Sequence, residues 1–354
     1  MSDREVILAD DFTGAAEMAG IAWRSGRSVD FCTSLPNVMV SEVTVIDTDT
    51  RLLSEAEASE RIRDICQRIR GWGVSRVFKK VDSVLRGPIR AEAEAAVTSL
   101  GRSGAVLLSA NPTKSRMIVD GRYRVDGVPL HETDFARDPI HPALTDSVRE
   151  RVGESPVLRT PDATSWEDVR EVAASLDPGV LPIGAADFYT AWSEAPSWSM
   201  PAEPTHGTRL WLGGSQAIRE AREEACDRFG IPVVEWNGEA TEEWERAAKS
   251  AFELQGRVAL EVGRIMTREP GDVLAAFRGI GSRLVKRLSP DYVFIEGGAI
   301  SSAVMDALGW DRFRVVREWS PGVVGVRPVD ETGASELVVK PGSYPWPNSV
   351  FSFS

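Results

Sequence analysis

The stretch Phe78-Lys79-Lys80-Val81-Asp82-Ser83-Val84-Leu85-Arg86-Gly87-Pro88-Ile89-Arg90 decides the fold. An apolar run ends where it begins, and the Ala- and Glu-rich segment Arg90–Leu100, typical of a helix, follows it. Pro88 suits the first turn of that helix, where a missing N–H is no loss. Ligands often bind where a strand turns into a helix, because helix N–H groups and strand ends converge there. The alternative is a solvated turn in which Asp82 or Ser83 caps the helix.

The rest of the first half repeats this pattern of apolar strand, polar strand end and helix. Strands that alternate with helices, each a short continuous apolar run, predict an α/β fold with a parallel sheet covered on both faces. The carboxyl ends of parallel strands share one edge, so their polar residues would lie together. The runs and their polar ends are Val6–Ala9 with Asp10 and Asp11, Val43–Ile46 with Asp47–Arg51, and Ala105–Leu108 with Ser109–Asn111.

A proline-rich stretch without periodicity, Ala191–Gly207, indicates a linker between domains. We predict two α/β domains, residues 1–195 and 208–354, joined by a linker at 196–207. Each domain would have a mostly parallel sheet flanked by helices. The second domain contains two strand, Gly-Gly, helix units, at Gly213-Gly214-Ser215 and at Gly297-Gly298, and a third glycine turn at Lys340-Pro341-Gly342. Glycines at helix starts let a phosphate approach the backbone, although most Gly-Gly turns only reverse the chain.

A basic segment interrupts the α/β pattern between Thr113 and Pro142. The pairs Asp120-Gly121 and Asp126-Gly127 predict an irregular hairpin. Its basic residues offer a site for a carboxylate or phosphate, and a solvated loop is an equally good interpretation. These residues are Lys114, Arg116, Arg122 and Arg124.

Composition narrows the class of protein. The 354 residues are 42% hydrophobic and 27% charged, which is typical of a globular protein, and the net charge of −12 argues against nucleic acid as a partner. The three cysteines and three histidines match no disulfide or metal-site spacing. Neither a signal peptide nor a membrane-spanning run is evident, so we expect a cytoplasmic protein without a membrane partner. A homo-oligomer stays open.

Together the motifs resemble the four-carbon acid sugar kinase family. The likeness covers nearly the whole chain and is strongest in the first half. It implies an N-terminal domain that binds the acid sugar, a C-terminal domain that binds ATP, and phosphoryl transfer between them. The segments that carry it are Leu8–Ala15, Lys79–Gly87, Asn111–Pro139, Gly213–Ser215, Gly297-Gly298 and Lys340–Gly342.

The chain departs from the family pattern on the nucleotide side. Where the family has Thr or Ser after its Gly-Gly and an acidic residue, this chain has Ala299-Ile300. Ile300 cannot donate a hydroxyl hydrogen bond to phosphate, which leaves backbone N–H groups and Ser301. The terminal glycine motif is also altered, from Lys340 to Pro345.

Our hypothesis is an ATP-dependent kinase that phosphorylates a hydroxyl of a short, four-carbon sugar acid, with Mg²⁺ as cofactor. The alternatives are a degenerate protein that binds a sugar acid or nucleotide without catalysis, and an aldolase or decarboxylase on the same scaffold. Asp10, Asp11 and Asp82 are the candidate catalytic carboxylates, with no choice among them. Arg86 is the first candidate for the substrate carboxylate, because its fork binds carboxylates at two points. Further substrate-binding candidates are Arg51, Lys80, Ser83, Asn111, Lys114, Arg116 and Arg122. Nucleotide-binding candidates are Gly214, Ser215, Gly297, Gly298, Ser301 and Gly342.

Overall fold

In the computed structural model, the short apolar runs of the first half form parallel strands. The structure describes residues 4–138, 141–199, 206–215, 218–236, 238, 242–263 and 270–352. The chain divides into two units, Met1–Ser197 and Trp198–Ser354. Half of the linker predicted at 196–207, residues 200–205, lies outside the described residues.

The first unit contains a seven-stranded parallel sheet and a small antiparallel sheet. The large sheet has the strand order β2-β3-β1-β4-β10-β5-β9, and β6, β7 and β8 form the small one. Strand β2 was not predicted. The strands are β1 (Glu5–Ala9), β2 (Val29–Cys32), β3 (Val43–Asp47), β4 (Arg76–Lys80), β5 (Gly104–Leu108), β6 (Arg116–Val119), β7 (Arg122–Val125), β8 (Val128–Pro129), β9 (Leu158–Arg159) and β10 (Val180–Gly184).

In the described part of the first unit, six α-helices accompany these strands, and two of them show how the sequence sets their starts. Asp11 caps the first helix by accepting the Gly14 N–H, and Ser54 forms a capping box with Glu57 at the second. The strands β1 and β4, which are almost entirely buried, pair with each other in the middle of the sheet. The helices are α1 (Phe12–Arg24), α2 (Glu55–Gly71), α3 (Ile89–Leu100), α4 (Val148–Val152), α5 (Trp166–Ala174) and α6 (Ala186–Trp192).

The predicted hairpin is a three-stranded antiparallel sheet with two tight turns. Val119 pairs with Arg122, and Val125 pairs with Val128, so each loop has two residues. Asp120-Gly121 and Asp126-Gly127 all have positive φ, as a type I′ turn requires.

The second unit has another seven-stranded sheet, with the order β12-β13-β11-β14-β17-β16-β15. Its first five strands are parallel, and β16 and β15 add an antiparallel edge. The strands are β11 (Arg209–Gly213), β12 (Val233–Trp236), β13 (Arg257–Val262), β14 (Tyr292–Glu296), β15 (Arg312–Ser320), β16 (Val323–Pro328) and β17 (Glu336–Lys340). The helices are α7 (Arg219–Phe229), α8 (Glu242–Gln255), α9 (Pro270–Ala276), α10 (Ser282–Leu288) and α11 (Gly298–Leu308).

An aromatic cluster forms the core beneath this second sheet. Trp211 stacks on Phe294 and on Phe351, with ring centroids 5.0 Å and 5.9 Å apart. The buried Arg209 donates to the carbonyls of Val350 and Ser352, each at 2.8 Å, so the last described residues are attached to β11. Within the described part of the chain, no helix is long and apolar enough to span a bilayer.

Candidate functional site

Arg51 joins the polar ends of two neighbouring strands in the first unit. Its Nε and Nη2 donate to the two oxygens of Asp10, each at 2.9 Å, and Nη2 also donates to Asp11 Oδ1 at 2.7 Å. Asp10 and Asp11 follow β1, whereas Arg51 lies in the turn after β3, which pairs with β1. Because a guanidinium forms a planar fork that matches a carboxylate, this contact holds the two strand ends against each other.

The turn after β4 is built around Asp82. The backbone N–H groups of Val84 and Arg86 each donate to Asp82 Oδ2 at 3.1 Å. The Arg86 guanidinium adds two hydrogen bonds, from Nε to Oδ2 at 3.0 Å and from Nη2 to Oδ1 at 2.7 Å. Arg51 Nη1 lies 3.8 Å from Asp82 Oδ1. Asp82 and Arg86 therefore lie at the same edge of the sheet as Asp11.

Glycine at position 87 lets this turn approach the turn after β3. Gly87 has φ of +90°, and a Cβ there would lie 3.0 Å from the carbonyl oxygen of Arg51. Leu85, which is buried, also has a left-handed backbone, with φ of +63°. Such a conformation is rare for a bulky residue and persists only where surrounding contacts enforce it. The hydrogen bonds to Asp82 on either side of Leu85 supply that enforcement.

The three candidate carboxylates differ in exposure. The side chain of Asp11 is 22% exposed, against 2% for Asp10 and 6% for Asp82. Burial opposes ionisation of Asp10 and Asp82, but neighbouring cations, above all Arg51, outweigh it and hold the pKa of both carboxyls below its ordinary value. Carboxylates stabilised in this way are poor proton acceptors. Since its side chain is the most exposed, Asp11 is the most accessible of the three to a ligand.

Most of the basic side chains that were proposed for substrate binding already form ion pairs with carboxylates of this chain. Arg86, in particular, uses its Nε–Nη2 edge for Asp82, so that edge of its fork is not presented to a ligand in this structure. The pairs and shortest distances are Arg86 with Asp82 at 2.7 Å and with Asp138 at 3.0 Å, Lys114 with Glu17 at 2.6 Å, and Arg122 with Asp146 at 3.0 Å.

Lys80 is a buried cation without an ion pair among the described residues. Its Nζ donates to the carbonyl of Val81 at 2.8 Å. A Cβ on Gly14 would lie 3.5 Å from Lys80 Nζ and 2.6 Å from Asp11 Oδ1, so the ammonium lies beside the first turn of α1. A buried ammonium with spare donors beside a helix N-terminus favours an anionic ligand.

Arg116 likewise has no carboxylate partner in the described part of the chain. Its guanidinium donates to the Ser83 hydroxyl and lies over the Phe135 ring, 5.6 Å from the centroid. Tyr123 holds this region together, because its hydroxyl donates to the Ser83 carbonyl at 2.5 Å. Ser83 and Arg116, far apart in sequence, are thereby neighbours next to Asp82.

Asn111 has a visible role in the local fold. Its Oδ1 accepts the N–H of Asp187 at 2.8 Å, and the Asp187 carboxylate accepts from the backbone and hydroxyl of Thr113 at 2.9 Å and 2.6 Å. Burial raises the pKa of Asp187. A contact between Asn111 and substrate stays a prediction.

Asp47, the last residue of β3, is a further buried acid at this edge. Its Oδ1 accepts the N–H of Asp49 at 2.9 Å. Burial, followed by the charges of Asp11, Asp49 and Asp10, raises the pKa of Asp47 to about 8, against the effect of that hydrogen bond. Its position at the end of an apolar strand is the sequence signal that could have singled it out from the other polar residues.

The three glycine turns of the second unit converge. A Cβ on Gly342 would lie 3.3 Å from Ser215 Oγ and 3.9 Å from Gly297 Cα. A Cβ on Gly214 would overlap the Ile300 side chain. These turns follow the adjacent parallel strands β11, β14 and β17, and α11 begins at Gly298. Backbone in such close contact, at a helix N-terminus, suits phosphate binding.

Ser301 does not replace the missing hydroxyl at the surface of these turns. It is fully buried, and its Oγ donates to the Gly297 carbonyl at 3.0 Å. Ile300 packs against Gly214 instead of facing solvent.

Comparison with known proteins decides which family this architecture represents. Residues 5–178 match the sugar-binding N-terminal domain model, and residues 212–344 match the nucleotide-binding C-terminal domain model. The chain is 33% identical to D-threonate kinase of Bordetella bronchiseptica, in an alignment covering 96% of this chain and 93% of that protein. The chain belongs to the four-carbon acid sugar kinase family.

Other relatives agree with this membership. A 3-oxo-tetronate kinase of Brucella melitensis is 29% identical over 96% of this family member and 92% of the relative. The fold matches the crystal structure of a Salmonella typhimurium LT2 protein with a TM-score of 0.81 and 19% identity, over 99% of this chain and 98% of that one. It also matches Haemophilus influenzae protein HI1011 with a TM-score of 0.74 and 18% identity, over 97% of this chain and 98% of that one. The resemblance identified from the sequence motifs is confirmed.

Proposed function

We propose that this family member is an ATP-dependent kinase that phosphorylates a hydroxyl of a four-carbon sugar acid. The observation that carries the proposal is the accessible Asp11 carboxylate, with Arg51 and Lys80 around it, at the carboxyl ends of adjacent parallel strands. Relatives that act on D-threonate, D-erythronate and 3-oxo-tetronate support the substrate class.

Asp11 is our candidate for the residue that orients the acceptor hydroxyl and takes its proton. Its carboxylate accepts from Thr13, Gly14 and Arg51, at 2.8, 2.9 and 2.7 Å, which fixes its direction. A carboxylate has about four acceptor positions, so one stays available for the substrate. Lys80, beside it, would neutralise the charge that develops on the substrate oxygens.

Arg116 and Ser83 are our candidates for binding the substrate carboxylate. Arg116 offers a planar fork that no carboxylate in the described residues occupies, and the Ser83 hydroxyl lies against it. This assignment replaces Arg86 as first candidate, since Asp82 and Asp138 hold the Arg86 guanidinium. Arg86 then serves to shape the turn that carries Ser83.

ATP fits the glycine turns of the second unit. The turns approach each other so closely that a Cβ at position 342 would contact Ser215. The residues that would surround the phosphates are Gly214, Ser215, Gly297, Gly298 and Gly342. Their backbone N–H groups would bind the phosphates, and bound ATP would supply the transferred phosphoryl group.

The described residues form no dedicated cage for Mg²⁺. No group of three or more His, Cys, Asp or Glu among the described residues is placed to hold a metal ion. Mg²⁺ commonly binds through nucleotide phosphates and water with only one or two carboxylates. We therefore assign no metal ligand to this chain.

An ADP-release assay on the purified chain tests the proposal. The panel would contain D-threonate, D-erythronate, 3-oxo-tetronate and a sugar lacking the carboxylate, each with ATP and Mg²⁺. We expect acid-dependent ADP release and none with the neutral sugar. If protein that binds ATP turned over none of the acids, the result would favour the non-catalytic alternative. The motivation for that alternative is Ile300, which is buried at a position where the family pattern has a hydroxyl.

A further inference from the structure

Glu296 is a buried carboxylate at the point where the three glycine turns of the second unit meet. It is 1% exposed and is the last residue of β14, directly before Gly297. One oxygen accepts from Trp346 Nε1 at 2.6 Å, and the other accepts from Arg222 and, at 3.4 Å, from the N–H of Ser215. Glu296 is not among the site residues predicted from the sequence. Its only signal is a single charge in an apolar strand before Gly-Gly.

Two of the partners of Glu296 belong to the other two turns. Ser215 follows β11, and Lys340, whose Nζ lies 3.9 Å from Glu296 Oε1, ends β17. Lys340 also donates to the carbonyls of Pro341 and Gly342, at 3.1 Å and 3.4 Å. One carboxylate thus connects the starts of all three turns.

Arg222 extends this network from α7. It donates to the Ser215 carbonyl at 3.2 Å and to Glu261 at 2.7 Å and 3.2 Å. Gly213 makes room for it, because a Cβ there would lie 2.7 Å from Arg222 Nε. Two cations, Arg222 and Lys340, balance Glu261 and Glu296. Buried charge pairs contribute little net stability, so stability alone does not explain why these four charges are placed together.

We propose that Glu296 is a positioning residue for nucleotide binding, which fixes the relative placement of the three turns without touching the nucleotide. The inference rests on the proposed use of a nucleotide at these turns. Loss of the Glu296 charge would release Arg222 and Lys340 from their shared partner. The turns would then separate, and the phosphates would lose simultaneous contact with all three.

Glu296→Gln, with Glu261→Gln as matched control, tests this. Both residues are fully buried acids that contact Arg222, but within the described residues the Glu261 side chain accepts hydrogen bonds from Arg222 alone and none from the three turns. We expect Glu296→Gln to raise the Kd for ATP at least tenfold and the KM for ATP in parallel, with the KM for the sugar acid changed less than twofold. Glu261→Gln should change the Kd for ATP less than threefold. Calorimetry, steady-state kinetics and melting curves on each protein give these values.

A second variant keeps the test decisive if Glu296→Gln does not fold. Trp346→Phe removes one hydrogen bond to Glu296 and keeps an aromatic ring, and we expect it to raise the Kd for ATP about threefold to tenfold. If ATP affinity were unchanged in the folded variants, or fell equally in Glu261→Gln, the proposed role of Glu296 would be wrong, but the proposed function would not be affected. A wild-type chain that does not bind ATP would overturn the proposed function as well, so the two failures are distinguishable.

Discussion

Asp11 and Arg51 are joined by a hydrogen bond of 2.7 Å, from Nη2 to Oδ1, while the same guanidinium holds Asp10 through two others. The guanidinium of Arg51 therefore holds a partly exposed acid, Asp11, and a buried acid, Asp10, at the same time. The consequence is a division of roles at adjacent positions in sequence. Asp10 attaches β1 to the turn after β3, and Asp11 remains accessible.

Replacing Asp11 with Asn should abolish turnover while keeping the fold. Asn caps helices as well as Asp, so α1 stays capped and the melting temperature should change little. Loss of the proton acceptor should lower kcat at least a hundredfold, with little change in the KM for the acid. Steady-state kinetics and a melting curve measure both.

Asp82→Asn provides the comparison for Asp11→Asn. It leaves the buried side of Arg86 without its charge partner, so we expect lower stability, by about 1–3 kcal/mol, and a smaller loss of kcat than in Asp11→Asn. A larger loss of kcat in Asp82→Asn, in folded protein, would transfer the catalytic role to Asp82.

Arg116→Lys should weaken the sugar acid more than Arg86→Lys does. A lysine keeps the charge but cannot reproduce a two-point contact with a carboxylate, which costs about 1.5–3 kcal/mol, or roughly tenfold to a hundredfold in KM. Arg86→Lys should act mainly on stability, because its partners are Asp82 and Asp138. The reverse order of the two KM values would restore Arg86 as the substrate ligand.

Asp47→Asn should stabilise the protein at alkaline pH. The pKa of Asp47 rises from 3.8 to about 8 on folding. Between these values the folded chain binds more protons than the unfolded chain, so the wild-type free energy of unfolding falls as pH rises toward 8. Asn does not titrate and avoids this loss, and we expect a gain of about 1–3 kcal/mol near pH 9 and almost none near pH 4.

Thermal denaturation across that pH range measures the difference. Asp64→Asn, at an exposed position of α2, controls for the loss of one negative charge. An equal effect of both substitutions would mean that net charge, and not the buried carboxyl, sets the pH dependence.

Gly214→Ala should destabilise the second unit through Ile300. The added methyl group overlaps the Ile300 side chain, and overpacking of this kind costs about 1–3 kcal/mol. Ile300→Ala removes the overlap at its own cost of about 2–5 kcal/mol. In a double-mutant cycle measured by urea unfolding, we expect the double variant to lose less than the sum. Additive losses would show that the two side chains do not compete for one space.

The strand ends and tight turns of this protein follow from its sequence alone. Short apolar runs that stop on polar residues predict parallel strands. Asp120-Gly121 and Asp126-Gly127 predict an irregular hairpin, which the structure contains in a more regular form, with two two-residue turns. Caps such as Ser54 also depend only on residues within one helical turn. Such features are local, because backbone preference and capping act between neighbours along the chain. Strand β2 and the antiparallel edge of the second sheet were not predicted, although Pro321-Gly322, between β15 and β16, is itself a local turn signal.

Tertiary structure alone decided which charges stay available for a ligand. The sequence places Arg86 ahead of Arg116 as the ligand of the substrate carboxylate. In the folded chain, however, Asp138, 52 residues from Arg86, pairs with Arg86, whereas Arg116 has no carboxylate partner among the described residues. Glu296 likewise meets Arg222, 74 residues away, only in the folded chain. The physical reason is that an ion pair depends on a separation of a few ångströms, which the packing of distant strands and helices sets. Sequence order carries little information about that distance.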